Sequence, residues 1–508
     1  MSVRIDAQDP RYSSLLKGHN LRWPASPSDA VRLIEICENT SDVVSALQRT
    51  VDAGLRPTVR SGGHCYEDFV ANNPDGVLLD LSLLTSSHMP GDPGRYRIST
   101  GEQLGDAYLN LFKRHGVTIP AGSCYTVGAG GHITGGGYGL LSRLHGLTVD
   151  WLSAVDIVTI DVNGKAQLVR ASKTEHADLF RACRGAGGGN FGVITAYYFD
   201  RLPVPPQEVI SGGISFDWAR MTEARFVDLV LKFGDYWATR GTQQDTWGLF
   251  SILNMSHDFI NLSFQFCNPD GSCRDLSVLD EFLDRFEGCN GSPEHLAIQG
   301  DKVISRKPSA SEACPGPHGL TRRGWLEATI EEGGGSGRER AKYKSTYMKQ
   351  NFTAAEAKRI YKHMTRTGER AELKHSILAI DSFGGAINRP AMAAETSCFQ
   401  RSSIMKLQFM SFWEDPAEDN GRLSWMRDFY TDLYSGEEVP ARYAGTPYPG
   451  QRYEGCYINY PDSDMLAYSF WPQLYYGEGD LYPFLQDVKQ RYDPHNVFHH
   501  AMSIRPKG

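Results

Sequence analysis

The 508-residue chain has little of what would send it to a membrane, to nucleic acid or into a disulfide scaffold. No apolar run reaches the roughly 18 residues that a membrane-spanning helix needs. The N-terminus, M-S-V-R-I-D-A-Q-D-P-R-Y, lacks the apolar core of a secretory signal, so a cytoplasmic location is expected. Lysine- and arginine-rich runs are missing and the formal net charge is −8, which argues against a nucleic-acid partner. The ten cysteines are scattered, with no C-x-x-C pair and no tight Cys/His spacing, so no metal site is expected. Cys267 and Cys273 are close enough in sequence for a small disulfide, but free or buried thiols suit a cytosolic protein better.

What the chain does have is glycine, concentrated in three turns. Gly122 to Asp150 holds nine, among them Gly128, Gly130, Gly131, the run Gly135–Gly137, and Gly139. A flexible linker would be serine and glycine with few apolar residues. Here apolar residues interleave, and a strand-like run, Trp151 to Ile160, follows. A second turn is Arg60-Ser61-Gly62-Gly63-His64-Cys65. A third, Arg184–Gly192, contains Gly189 and Gly192 and leads into Val193-Ile194-Thr195. Glycine lets a backbone lie close to a ligand, and consecutive amides in such turns make anion-binding nests. Arg60 adds a planar donor suited to phosphate. None of the turns has the spacing of a dinucleotide fingerprint or a P-loop. The residues alone indicate a nucleotide-type cofactor held mostly by backbone.

The length predicts two or more domains. Helices over Asp42–Ala53, Gln103–His115 and Asp178–Ala182 alternate with strands at Thr58–Arg60, Val77–Leu81 and after Trp151, with a hairpin turn at Asn163-Gly164. The proline-rich Leu202–Pro206 marks a boundary. Beyond it, strands are expected at Val209–Phe216, Asp245–Leu253, Ile260–Cys267, Ser376–Phe383 and Ile404–Trp413. Helices are expected at Thr222–Trp237, Leu276–Phe286, Ala354–His363 and Arg422–Leu433. This is an α+β pattern, an antiparallel sheet backed by helices. Gly333–Gly337 with the following R-E-R-A-K reads as a mobile surface loop. The resulting division is 1–205, 206–450 and 451–508.

Several stretches together resemble one family. They are R-S-G-G-H at 60–64, Cys124 within G-x-C-x-x-V-G-x-G-G-H, and G-G-G-Y-G at 135–139. Y-I-N-Y-P-D-S-D (Tyr457–Asp464) and Y-D-P-H-N-V-F-H-H-A-M-S-I-R-P (Tyr492–Pro506) complete the set. The chain resembles the berberine-bridge-enzyme-like flavoprotein oxidases, which have the vanillyl-alcohol-oxidase type of FAD fold. Its wording is most similar to bacterial antibiotic-tailoring members such as hexose oxidases. Where plant members usually have Asp, this chain has Cys65.

The resemblance implies a two-part FAD-binding domain formed by 1–205 and 451–508, with 206–450 as the substrate domain. It also implies FAD bound twice, through the 8α carbon to His64 and the C6 carbon to Cys124. Both residue types are nucleophiles, histidine when neutral and cysteine as thiolate. Cys65 is a rival thiol outside the attachment position. Ser61, Gly62, Gly63, Val127, Gly128, Gly131, His132, Gly135, Gly136, Gly139, Gly189, Gly192, Val193, Tyr457 and Asn459 are the other expected cofactor neighbours, with Arg60. Valine at 127 resembles the oxygen-reactive members. Tyr460 matches the family's active-site tyrosine and is the expected base. Lys406 and Gln408 share one face of a strand and match polar active-site positions. Glutamine cannot ionise, so the proton is expected to go to Tyr460 with Lys406 stabilising the phenolate. Tyr138 is expected to assist the base or hold the substrate.

The expected reaction is oxidation of an alcohol, a sugar hydroxyl on a secondary metabolite, by oxygen to a carbonyl or acid with hydrogen peroxide. An oxidative cyclisation or dehydrogenation of a non-sugar natural product is the alternative. A flavin-bearing scaffold without redox turnover is a third reading. The expected partners are a small-molecule substrate and oxygen, in a monomer or homodimer.

Overall fold

The computed structural model describes residues 2–85, 96–286, 289, 296–299, 302–305, 320–332, 334, 337–365, 373 and 375–507. The first sheet contains β1 (Val3–Asp6), β2 (Leu33–Ile36), β3 (Pro57–Arg60) and β4 (Val77–Asp80) in the order β1-β2-β4-β3. β2, β4 and β3 run parallel and β1 antiparallel. Parallel strands are covered on both faces, and every residue of β4 is buried. The helix Thr40–Asp52 turns Val43, Ala46 and Leu47 inward, and Asn39 caps it by accepting from the Asp42 amide.

The second sheet is antiparallel, with β5 (Tyr96–Ser99), β6 (Ala154–Ile160), β7 (Ala166–Ser172) and β8 (Val193–Phe199) in the order β5-β8-β6-β7. β8 continues the third glycine turn.

The third sheet has seven antiparallel strands. Its members are β9 (Glu208–Phe216), β10 (Leu249–Ser256), β11 (Ile260–Phe266), then, beyond a separate hairpin of β12 (Leu296–Gln299) and β13 (Lys302–Ser305), β14 (Thr321–Gly324), β15 (Arg340–Met348), β16 (Ser376–Ser382) and β17 (Met405–Trp413). The order is β14-β9-β11-β10-β16-β17-β15. The helices Glu223–Arg240, Ala354–Met364 and Asp419–Leu433 pack side by side against it. Thr353 and Glu356 form a capping box on the second of them. The sheet's other face turns Ile252, Asn254, Ala379, Gln408 and Met410 toward a large cavity.

The C-terminal segment returns to the third glycine turn. From the helix Leu481–Tyr492, buried Lys489 donates to the Asn190 carbonyl at 2.7 Å and pairs with Asp493 at 2.6 Å. The Ile504 amide donates to Asn190 Oδ1 at 2.9 Å.

Two expectations change. The strand expected over Asp245–Leu253 begins at Leu249, because Gln244–Thr246 forms a single 3-10 turn that precedes it. Of Gly333–Gly337 only Gly334 and Gly337 are among the described residues, and R-E-R-A-K is not a surface loop. Its last three residues open edge strand β15, where Lys342 and Lys344 are buried. Three carboxylates from elsewhere make that burial tolerable. Lys342 Nζ lies 2.7 Å from both Glu67 Oε1 and Asp462 Oδ1. Lys344 Nζ lies 2.5 Å from Asp462 Oδ2 and 2.9 Å from Asp464 Oδ2. Cys267 and Cys273 are both free thiols. Among the described residues no helix is long and apolar enough to cross a membrane.

Candidate active site

Two glycine turns cross at the centre of the molecule. β3 ends at Arg60 and feeds the S-G-G-H turn, which lies against residues 126–128. A Cβ on Gly62 would stand 2.3 Å from the Gly128 nitrogen and 2.7 Å from the Thr126 carbonyl oxygen. Only glycine permits that approach. The crossing brings both His64 and Cys124 to the Thr126 hydroxyl. His64 Nε2 is 3.0 Å and Cys124 Sγ 3.6 Å from Thr126 Oγ1. His64 also stacks on His19, with ring centroids 3.6 Å apart.

A cavity of about 600 Å³ runs beside this crossing, well within the size range of small-molecule and cofactor sites. Cys124, Val127, Gly128, Gly131, His132 and Gly139 line it from one turn. Arg60, Ser61, Gly62, Gly63, His64 and Cys65 line it from the second. Gly189, Gly192 and Val193 line it from the third, and Tyr457 and Asn459 from the C-terminal segment. A Cβ at Gly131 would meet no protein atom within 4 Å, so this wall is bare backbone facing open space.

Burial, with His19 adding to it, pushes the His64 imidazole down to about 3, so it is neutral near pH 7. His132 is likewise held neutral by burial, at about 4, and its Nε2 accepts from the Gly122 amide at 3.1 Å. Asn459 Nδ2 donates to the His132 carbonyl at 2.8 Å and to Tyr457 Oη at 3.1 Å. Burial pushes the Cys65 thiol up to about 12, which leaves it a poor nucleophile beside His64.

At the sheet end of the cavity Lys406 and Tyr66 converge on Tyr460. Lys406 is fully buried below the cavity wall. Its Nζ donates to Asp381 Oδ2 at 3.0 Å and to Tyr460 Oη at 3.4 Å. It also sits 4.4 Å from the Tyr460 ring centroid and 4.5 Å from that of Tyr138. Gln408 Nε2 donates to Tyr66 Oη at 3.0 Å, and Tyr66 stacks between Tyr343 and Tyr460. Tyr460, Tyr138, Gln408, Asp381 and Tyr66 all line the cavity.

Several residues sit differently from expectation. The Arg60 guanidinium is spent on Asp80 and the Leu16 carbonyl, so it is a buried structural pair, not a phosphate donor. Ser61 Oγ donates to the Thr100 carbonyl. Gly135 and Gly136 do not line the cavity, because they pack on Asn459 and Cys398. Tyr138 donates its hydroxyl to the Ser382 carbonyl at 2.9 Å, which commits its proton away from a base's task. Lys406 is shared between Asp381, which pairs with it, and the Tyr460 hydroxyl, to which it also donates. Burial, and then Asp381, hold the Tyr460 phenol well above its usual value near 10. Tyr460 therefore rests protonated.

Reading the sequence missed Asp381, Tyr66, Thr126, His19 and His500. Tyr66 and Thr126 lie inside the glycine-turn motifs and His500 inside the closing motif, where it stacks on Phe69 with centroids 4.2 Å apart. Asp381 gives no local signal. Only the register of β16 on β17, which sets it opposite Lys406, makes it visible.

Residues 31–167 match the family described as FAD binding domain, and 456–505 that described as berberine and berberine like. The chain is 34% identical over 535 residues to a hexose oxidase of Chondrus crispus, covering 99% of this chain and 94% of that protein. The chain belongs to the berberine-bridge-enzyme-like family of FAD-linked oxidases. A second member of this family, the aclacinomycin-N/aclacinomycin-A oxidase of Streptomyces galilaeus, is 32% identical over 532 residues, covering 100% of this chain and 90% of that one. The crystal structure of a glycopeptide hexose oxidase complexed with teicoplanin matches with a TM-score of 0.84 at 33% identity, over 100% of this chain and 99% of that chain. The protein is thus an FAD-dependent oxidoreductase with an α+β fold of the vanillyl-alcohol-oxidase type. The cavity suits FAD. Its glycine walls offer backbone amides, and a neutral imidazole and a thiol stand together at its edge.

Proposed function

We propose that this oxidase holds FAD through His64 and Cys124 and oxidises a hydroxyl group, most simply on a sugar borne by a secondary metabolite, with oxygen as acceptor. The product is a carbonyl compound, or an acid after a second round, with hydrogen peroxide. Residues 1–205 and 451–508 hold the cofactor, and 206–450 present the substrate. Bound flavin supplies a two-electron acceptor for hydride.

The carrying observation is the Asp381–Lys406–Tyr460 array beside the glycine-walled cavity. Lys406 passes a proton to Asp381, its nitrogen so freed takes the Tyr460 hydroxyl proton and is an ammonium ion again, and Tyr460 takes the hydroxyl proton of the substrate. The substrate proton thus ends in effect on Asp381, and no buried charge is created at Tyr460. This relay removes the need for a resting phenolate, which burial disfavours. Gln408 and Tyr66 orient the substrate by hydrogen bonds. Tyr138 holds the ammonium against its ring. The named substrates of relatives, hexoses and glycosylated antibiotics, favour a sugar.

Anaerobic mixing with free hexoses, with a glycosylated natural product and with its aglycone tests the reading. Bleaching of the flavin by the sugar-bearing compounds, with peroxide formed on admitting air, is expected. Bleaching by the aglycone alone would favour dehydrogenation of a non-sugar product. No bleaching by any member of a broad panel would favour a scaffold.

A further inference from the structure

Thr126 touches both of the residues proposed to hold the flavin. Its Oγ1 lies 3.0 Å from His64 Nε2 and 3.6 Å from Cys124 Sγ. It is not among the residues that line the cavity, so it acts through those two. A hydroxyl has one hydrogen to give. If Thr126 donates to His64 Nε2, the ring proton lies on Nδ1 and the sulfur receives no hydrogen bond from this hydroxyl. If His64 donates from Nε2 to Thr126, the hydroxyl hydrogen is released toward the sulfur and the lone pair lies on Nδ1. A neutral imidazole carries one proton, so only one of the two arrangements holds at a time.

We infer that Thr126 is a positioning residue for flavin attachment. It accepts the His64 Nε2 proton and donates its own to Cys124 Sγ, which readies Nδ1 and sulfur as nucleophiles together. The inference rests on the reading that both residues bond to FAD. It adds a cause for their joint readiness. Burial keeps the His64 ring neutral, as the chain of donors requires. His19, stacked on the ring face, fixes the ring plane, and the His19 amide is itself held by the Gly63 carbonyl at 2.9 Å. Donation to sulfur stabilises the thiolate, as hydrogen bonding to a charged form does generally.

The chemistry balances with oxygen, which the oxidase reaction already uses. Each link replaces one C–H bond of the flavin and one N–H or S–H bond of the protein by a C–N or C–S bond. Two electrons and two protons leave, and oxygen takes them as hydrogen peroxide. At His64 the departing protein proton is the one on Nε2, which lies against Thr126.

The test compares wild type, Thr126→Ser and Thr126→Val, each produced without riboflavin, reconstituted with FAD in air and followed by intact mass and peptide mapping. Thr126→Ser is expected to form both links at the wild-type rate. Thr126→Val is expected to bind FAD but to form both links about tenfold more slowly, the effect of one lost hydrogen bond. Wild-type rates at either link in Thr126→Val would overturn the inference, and so would a slow Thr126→Ser. If Thr126→Val fails to retain FAD, the same measurements on Thr126→Ala decide. A wild-type protein that releases all its flavin in acid is a different failure, that of the attachment reading itself.

Discussion

Asp381 and Lys406 face each other across β16 and β17, and their side chains form a buried ion pair of 3.0 Å. Removing one partner strands a charge in the interior, which costs about 3–5 kcal/mol. Asp381→Asn should therefore lower the thermal midpoint by several degrees and slow flavin reduction. The double variant carrying Asp381→Leu and Lys406→Met should recover most of the stability but none of the rate. Thermal melting and anaerobic stopped-flow absorbance on the same preparations check this. Full activity in the double variant would remove the pair from the proton relay.

Tyr460→Phe deletes one hydroxyl and leaves the ring stacking with Tyr66 and Tyr457 in place. The expected result is an unchanged content of covalent flavin and a reduction rate lower by about 10²–10⁴-fold, the usual span for loss of a general base. Single-turnover reduction under nitrogen measures it. A rate within about threefold of wild type, far less than that span, would exclude Tyr460 from the chemistry.

Burial holds several histidines neutral, His64 at about 3 and His132, His145 and His500 at about 4. In the unfolded chain each titrates near 6.5. Above that pH neither state binds the proton. Below it the unfolded state binds first, so stability present at pH 7 is lost as the pH falls from about 6.5 to about 4. Each group contributes about 1.4 kcal/mol per pH unit across its window. Denaturation midpoints of the flavin-free protein should drop steeply through this range. His145, outside the cavity, is the cleanest probe, and His145→Gln should flatten the profile by its share.

The glycine walls separate folding from cofactor binding. Gly131→Leu adds a side chain whose Cβ meets nothing of the protein within 4 Å. It should fold, with the short helix Ala129–Thr134 that contains it favoured by about 1 kcal/mol over glycine, yet carry little FAD. Gly62→Ala drives a carbon to 2.3 Å from the Gly128 nitrogen and should fail to accumulate as folded protein. Circular dichroism and the ratio of flavin to protein absorbance distinguish the two.

Much of this site was legible in the sequence because its pieces are short and local. His64, Cys124 and the glycines around them sit in turns whose composition announces close backbone approach. Helices such as 223–240 and strands such as 405–413 announce themselves by period. The rest depends on register and on distant partners. Asp381 looks like an ordinary residue of a buried strand until β16 is paired with β17. The alternating lysines of β15 look solvated until Glu67, Asp462 and Asp464 arrive from two other segments. Arg60 looks like a phosphate ligand until Asp80, twenty residues on, claims its guanidinium. Ionic partners of this kind carry no periodic signature.

Attachment of the flavin to both His64 and Cys124 is tested most directly by acid precipitation of the purified protein followed by peptide mapping. Yellow colour is predicted to stay with the precipitate, and flavin mass to be found on the peptides containing His64 and Cys124. His64→Ala and Cys124→Ala should each keep one link, and the double variant should release all its FAD into the supernatant. Wild-type protein whose flavin passes entirely into the acid supernatant would contradict the claim.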